Sequence, residues 1–173
     1  MIEFKIVDNI NAIAKVVKLA KDIWNEHYIP VIGSNQVLYM LEKFQSEDAI
    51  AQQIAQEYKY YMIFYNQVET GYFSVQDRGD RLFLSKLYVL KSFRGKGIGK
   101  QAIKFIKSAF DNPIIQLTVN KNNSDSITFY KNVGFNIVDD VVTDIGSGFV
   151  MDDYVMEINS KTRFQTETGV TSA

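Results

Sequence analysis

The chain of 173 residues has no cysteine, a single histidine and a formal charge of only −1. Without cysteine there is no disulfide, no thiolate nucleophile and no zinc site built on sulfur, and we expect no metal. A near-zero charge gives no ground for expecting nucleic acid or an anionic membrane as partner. No apolar run approaches the ~20 residues that span a bilayer, and the first residues lack a basic region followed by an apolar block. The expectation is a soluble, cytoplasmic protein. Hydrophobic residues make up 46% and charged residues 23%, a globular composition. There is no internal repeat, low-complexity block or linker, so residues 1–160 are expected to form one domain, with a polar, aperiodic tail at 161–173. That tail is frayed or is ordered by a second subunit of a possible homodimer.

What the chain does have is concentrated between Arg81 and Lys100. The first half, Arg-Leu-Phe-Leu-Ser-Lys-Leu-Tyr-Val-Leu, is β-prone and reads as a strand. The second half sets Gly95, Gly97 and Gly99 between Arg94, Lys96 and Lys100. An amphipathic helix follows, with Ile98, Ala102, Phe105, Ile106 and Ala109 on one stripe. Glycines let the backbone turn and approach a ligand closely, and the first N–H groups of a helix lack partners within it. They also lie at the positive end of the helix dipole, so the segment suits a phosphate or pyrophosphate.

Spacing narrows the kind of cradle. A Walker loop needs Ser or Thr directly after its Gly-Lys, whereas Lys96 precedes Gly97; a dinucleotide fingerprint needs Gly-x-Gly-x-x-Gly, and these glycines are evenly spaced. Arg94-Gly95-Lys96-Gly97-Ile98-Gly99 instead resembles the Arg/Gln-x-x-Gly-x-Gly/Ala signature of the GCN5-related N-acetyltransferase (GNAT) superfamily. Asn123-Ser124-Asp125-Ser126-Ile127-Thr128-Phe129-Tyr130-Lys131-Asn132-Val133-Gly134-Phe135 resembles that superfamily's second signature, an Asn, a short helix carrying Phe-Tyr, then Gly-Phe. With the strands around them the two motifs cover roughly residues 60 to 158.

In chain order, residues 1–7 alternate as a short strand, and Asn9 or Asn11 can cap a helix with Ile10, Ile13, Val17, Ala20, Trp24 and His27 on one face. Pro30 breaks that helix, and Gly33 turns the chain. Ser34 can cap a second helix with Val37, Met40, Leu41 and Phe44 inside, and Ser46 a third, over 49–58. Strands follow at 60–65 and 71–75 about an Asn66-Gln67 turn, then at 82–90 after Asp77-Arg78-Gly79-Asp80. Pro113 stops the glycine-loop helix, and 114–119 is a strand expected beside the central one. Asn123 or Ser124 caps the motif helix and Gly134 ends it; 135–138 and 150–158 form a last antiparallel pair across a mobile connection at 143–148. The pattern is α/β (α+β), a mixed sheet with helices on both faces.

The resemblance implies more. It makes the fold a mostly antiparallel sheet with one parallel pair that splays apart to admit the pantetheine arm of acetyl-CoA. The main chain of Leu87, Tyr88 and Val89 would bond that arm as an added strand, and Arg94, Gly95, Lys96, Gly97, Ile98, Gly99 and Lys100 would hold the pyrophosphate. Asn123, Ser126 and Lys131 become coenzyme contacts, Asn123 being also a helix cap. Tyr130 becomes the acid that protonates the departing sulfur, although on the residue alone it is simply an aromatic packing side chain. For the acceptor the candidates are Glu26, His27, Asp152 and Asp153 within a scatter of acids that includes Asp77, Asp139, Asp140 and Asp144, a set that would suit a polycation. On the residue alone His27 is first a partly buried packing residue with a satisfied ring. Tyr28-Ile29-Pro30-Val31-Ile32-Gly33 and the last strand are similar to bacterial polyamine and small-amine acetyltransferases of the superfamily. A protein N-terminus or lysine as acceptor, and a non-catalytic acyl-CoA sensor, stay open. No general base is identified: a water relayed to Glu26 or to strand carbonyls serves as well as a direct side chain.

Overall fold

A computed structural model describes residues 1–161. The polar tail expected at 161–173 therefore falls, apart from its first residue, outside the described residues. The seven strands are β1 (Ile2–Ile6), β2 (Tyr58–Tyr65), β3 (Val68–Asp77), β4 (Arg81–Val89), β5 (Ile114–Asn120), β6 (Asn136–Gly146) and β7 (Phe149–Asn159). They form one sheet in the order β1-β2-β3-β4-β5-β7-β6. Every neighbouring pair is antiparallel except β4 and β5. This is the mostly antiparallel sheet with one parallel pair that the sequence resemblance implies.

Local chemistry explains the connections. Asn66 and Gln67 adopt φ of 48° and 69°, the left-handed pair that a two-residue hairpin needs. The connection expected at 143–148 is mostly strand: β6 runs on to Gly146, and Ser147-Gly148 turns directly into β7. The reason lies partly in Ile145, which is buried and whose carbonyl accepts from Tyr39 Oη at 2.6 Å and from Lys43 Nζ.

Helix α1 (Ile10–His27) is capped by Asn9, whose side chain accepts from the Ala12 N–H at 2.9 Å. Its buried residues are Val16, Leu19, Ala20, Ile23 and Trp24, whereas Ile10 is 72% exposed. The apolar stripe is thus rotated from the expected one, because a helix with several apolar rows lets packing on the sheet select among them. Pro30 does not break α1 but sits in the first turn of a separate short helix, α2 (Ile29–Ile32), where a missing N–H is no loss. Gly33 at φ 85°, not Ser34, is the cap position of α3 (Ser34–Phe44), and Ser46 caps α4 (Glu47–Ala55). On α5 (Ile98–Ala109) the buried set is Ile98, Ala102, Ile103 and Ile106, with Ala109 left exposed. The last helix is α6 (Ser124–Asn132).

The sheet has an apolar core on each face. Phe73, Leu82, Leu84, Ile103, Ile106 and Phe135 form one with α5 and α6; Trp24, Val37, Met40, Ile50, Tyr60 and Tyr72 form the other with α1, α3 and α4. Each such fully buried side chain contributes about 1.5–3 kcal/mol, enough to fix the helices over both faces.

Two features of β4 prepare the site. Val75 pairs with Leu84 and Ser74 with Lys86, so Ser85 is an extra residue, a β-bulge. Across it the alternation shifts: Leu82, Leu84, Leu87 and Val89 face the α5–α6 layer, while Tyr88 joins the other. Further, β4 and β5 pair only over Arg81–Phe83 against Ile114–Gln116. Beyond that point the two strands separate. Gly71 backs the separated segment of β4, since a Cβ there would lie 2.2 Å from the Tyr88 carbonyl oxygen.

Candidate functional site

The separation of β4 from β5 leaves main-chain groups at Leu87–Val89 facing a gap, and a cavity opens on each side of it. On the α5 side a cavity of about 350 Å³ is lined by Leu87, Tyr88, Val89, Arg94, Gly95, Gly97, Ile98, Gly99 and Lys100 together with residues of α1 and α6. Gly95 and Gly97 have φ of 78° and 77°, and nothing lies within 4 Å of where a side chain would start. Their bareness is a matter of backbone conformation and access. Helix α5 begins at Gly97 with no side-chain cap, unlike the helices begun at Asn9, Ser46 and Asn123. An uncapped N-terminus beside two cationic side chains fits a pyrophosphate, and the open strand edge fits an extended amide-containing arm. Gly99 serves differently. It is helical, and a Cβ there would come within 2.9 Å of the Phe129 ring, so it allows α6 to pack closely on α5.

On the other side a cavity of about 470 Å³ lies between the sheet and α1, α3 and α4. Trp24, Tyr28, Phe44, Phe83 and Tyr88 supply an aromatic wall, and Gln52, Gln53 and Gln56 a polar one. Its charged lining consists of Lys43, Lys86 and Asp153. The two cavities share Tyr28, Leu87, Tyr88, Ser126 and Tyr130, and so meet at the split in the sheet.

That junction is held by a chain of polar contacts. Asn123, 2% exposed, caps α6 by accepting from the Ser126 N–H at 3.4 Å. Its Nδ2 donates to Tyr28 Oη at 3.4 Å, and its Oδ1 lies 3.1 Å from His27 Nε2. Arg94 Nη1 lies 3.3 Å from His27 Nδ1. A guanidinium only donates, so Nδ1 accepts and Nε2 carries the proton toward Asn123. His27 is therefore neutral in this arrangement; burial holds its pKa below the usual range, and the Arg94 charge adds to that. Burial likewise pushes the Tyr28 phenol up to about 12 and raises Tyr130 well above its ordinary value. Tyr130, 8% exposed and edge-on to Phe129 and Phe135, is thus held protonated throughout the physiological range.

The larger cavity contains two unusual groups. Lys86, 7% exposed, has no carboxylate partner among the described residues; its ammonium donates to Phe44 O and Gln53 Oε1, each at 2.9 Å, and to Tyr60 Oη. Burial lowers its pKa to about 7. Asp153 is 4% exposed with no partner at Oδ1, and burial, with the Asp152 charge adding, raises its pKa to about 6.

Several expected site residues stand apart. Glu26 lines neither cavity and accepts from the Lys91 N–H at 3.3 Å. His27, expected beside the acceptor, lines the α5-side cavity instead. Lys96 lies over the Tyr65 ring at 5.7 Å, and exposed Lys131 lines neither cavity. Asp152 is ion-paired to Lys121 at 3.0 Å, as is Asp140 at 2.7 Å, while Asp77 and Asp144 accept from the N–H groups of Gly79 and Gly146. Of the scattered acids only Asp153 reaches the larger cavity. Sequence reasoning missed Lys86 and Tyr28. Nothing marks Lys86 before the bulge at Ser85 is known, whereas Tyr28 stood at the head of the Tyr-x-Pro-x-Ile-Gly segment. Among the described residues no group of three or more His, Cys, Asp or Glu could hold a metal ion, and no helix is long and apolar enough to cross a membrane.

Among solved structures the chain is similar to PaiA N-acetyltransferase from Thermoplasma acidophilum in complex with coenzyme A, at a TM-score of 0.75 and 20% identity over 92% of this chain and 99% of that one. An N-acetyltransferase from Staphylococcus aureus Mu50 superposes with a TM-score of 0.71 at 17% identity, covering 92% and 98%. For the ribosomal-protein-S18-alanine N-acetyltransferase of Escherichia coli the values are 0.67 and 14%, covering 95% and 97%. No curated protein matches the chain by sequence. The family profile described as acetyltransferase (GNAT) domain matches residues 29–157. With that match spanning both motifs and most of the residues that line the two cavities, the chain belongs to the GNAT acetyltransferase family and is an acetyl-CoA-dependent acyltransferase.

Proposed function

We propose that the protein transfers the acetyl group of acetyl-CoA to the primary amine of a small molecule, by direct attack with both substrates bound. The observation that carries this is the meeting of the two cavities at Leu87, Tyr88, Ser126 and Tyr130. A coenzyme seated along β4, with its pyrophosphate at Gly95–Lys100, directs its far end to that junction, where a molecule in the larger cavity faces it. The thioester supplies an acyl carbonyl ready for attack, and the protein has to hold the amine beside it and protonate the sulfur that leaves. Tyr130, kept protonated by its burial, is suited to the second task. Asn123 fixes the helix that carries Tyr130 while touching residues of both cavities.

A small acceptor is favoured by what spans the larger cavity. Gln36 of α3 donates to Val150 O at 3.0 Å, and Tyr39 and Lys43 bond Ile145 O, so α3 is tied to the β6–β7 hairpin. A peptide would need that side open. The test is thiol release from acetyl-CoA against a panel of monoamines, polyamines and peptides with free N-termini, run on wild type and Tyr130→Phe. Release with one small-amine class, reduced about 10²-fold or more in the variant, is the expected outcome. Release with peptides only would replace this reading by a protein acceptor. Silence across the panel, with acetyl-CoA still raising the melting temperature, would favour a sensor.

A further inference from the structure

Asp153 is the group in the larger cavity whose surroundings are least complete. A carboxylate with 4% exposure ordinarily finds donors for both oxygens, yet Oδ1 has none. Its strand position explains both burial and aim. Asp153 pairs with Asn120 of β5 and Val141 of β6, in the middle of three strands, and its side chain lines the cavity between sheet and helices. Asn120 leads by a tight turn into Asn123, whose N–H donates to the Asn120 carbonyl at 2.9 Å, and from there into the helix of Tyr130. Asp153 also acts electrostatically on Tyr28, one of the residues where the cavities meet. A buried oxygen lacking a donor, aimed into a cavity beside the reaction junction, is a place where a ligand's donor belongs.

We propose that Asp153 binds the ammonium of the acceptor and takes its proton, and that this ammonium is the acceptor's single cationic group. The inference rests on the amine-acetylation reading above. In the step, one N–H bond of the ammonium breaks and its proton passes to Oδ1, leaving a neutral amine and a carboxylic acid. The amine lone pair forms the C–N bond to the acyl carbon as the carbonyl pair moves onto oxygen. When that pair returns, the C–S bond breaks and the sulfur takes the proton of Tyr130. The second proton leaving nitrogen restores Tyr130, and Asp153 releases its own to solvent after the amide departs. The raised pKa of the carboxyl makes it a better proton acceptor than an ordinary Asp.

The single cation follows from the rest of the lining. Lys43 and Lys86 are its other charged groups, and Asp152, which could have received a second ammonium, is 54% exposed, ion-paired to Lys121 and no part of the lining. The charges and titratable groups that act on Asp153 are Asp152, Lys121 and, from the residue that follows α1, Tyr28, with Lys43 and Lys86 across the cavity. An amine with an aromatic or uncharged polar body matches the aromatic and glutamine walls better than a polyamine does.

The experiment compares wild type with Asp153→Asn, using phenylethylamine and spermidine as probes, by calorimetry of amine binding and by thiol release from pH 5 to 9. In wild type the kcat/KM for the amine should fall below pH 6, and phenylethylamine should outrun spermidine. In Asp153→Asn that limb should vanish, kcat should drop by about 10²–10³-fold, and phenylethylamine binding should weaken while acetyl-CoA binding is unchanged. A readout independent of turnover is thermal. The folded carboxyl keeps its proton to a higher pH than the unfolded one, so the wild type carries a destabilising buried charge above about pH 6. Asp153→Asn should therefore melt higher than wild type at pH 8, with the advantage shrinking toward pH 4. Wild-type turnover that survives in Asp153→Asn with the same pH limb would overturn the assignment of the base, and faster turnover of spermidine would overturn the single-cation rule. Failure of wild type with every amine would sink the amine reading itself, leaving the melting comparison to judge Asp153 alone.

Discussion

The two cavities of this protein are built from different material. The α5-side cavity presents backbone: the left-handed loop at Gly95 and Gly97, an uncapped helix start, and the open edge of Leu87–Val89. The larger cavity presents side chains gathered from α1, α3, α4, β4 and β7. Backbone recognition tolerates little local variation in residue type, because a positive φ without strain calls for glycine. Side-chain recognition can be assembled from any elements that happen to converge. One side therefore has a signature in the sequence and the other does not.

The comparison can be strained first on the coenzyme side. Gly97→Val forces a branched residue to φ 77°, a cost of about 1–3 kcal/mol that falls on the loop proposed to hold the pyrophosphate. Acetyl-CoA should bind roughly tenfold or more weakly by calorimetry, with amine binding unchanged; an equal loss for both substrates would mean that the two sides are not separate. On the other side, Lys86→Met removes one donor each from Phe44 O, Gln53 Oε1 and Tyr60 Oη, the first two of which keep Gln53 Nε2 and Tyr60 Oη, and should cost about 0.5–1.5 kcal/mol of stability. The KM for the amine should rise several-fold, with acetyl-CoA affinity constant. The same variant has a pH signature. Lys86 loses its proton near pH 7 when folded and near 10.5 when unfolded, so the unfolded chain holds more protons between those values and wild-type stability rises with pH there. Melting curves of Lys86→Met should lack that rise. The smallest effect is expected at the junction. Asn123→Ser keeps a capping oxygen, so stability should change by only a few tenths of a kcal/mol, but the links to His27 and Tyr28 are lost. Both Michaelis constants should shift together by a factor of about two to three, as suits a residue that belongs to neither side alone.

The same contrast explains what could be read before any coordinates. The pairings β2–β3, β3–β4, β4–β5 and β6–β7 were accessible because hairpin turns such as Asn66-Gln67 and the crossover through α5 are local, whereas the places of β1 beside β2 and of β7 beside β5 depend on contacts between distant segments. The coenzyme motif was accessible for the reason just given, although Gly99 proved to make room for Phe129 and Lys96 to lie on Tyr65. The face of α1 was misjudged, since periodicity says that a helix is amphipathic but not which of its overlapping stripes meets the sheet. The acids misled in the same way. Charge counting could not foresee that Lys121 gathers Asp140 and Asp152, leaving Asp153 alone in the cavity.

The extra residue at Ser85 acts on the molecule as a reading frame acts on a message. Upstream of it the strand presents Leu82 and Leu84 to one layer; downstream, Leu87 and Val89 take up that task and Lys86 and Tyr88 are handed to the other. A regular strand with Ser85 kept as an ordinary alternating residue would exchange the audiences of the last residues, setting a lysine among the aliphatic side chains of the α5–α6 layer and a leucine against Tyr60 and Gln53. The doubled position at Ser85 is therefore what lets two residues in a row lie outside the plain alternation while Leu87 and Val89 keep the face of Leu82 and Leu84.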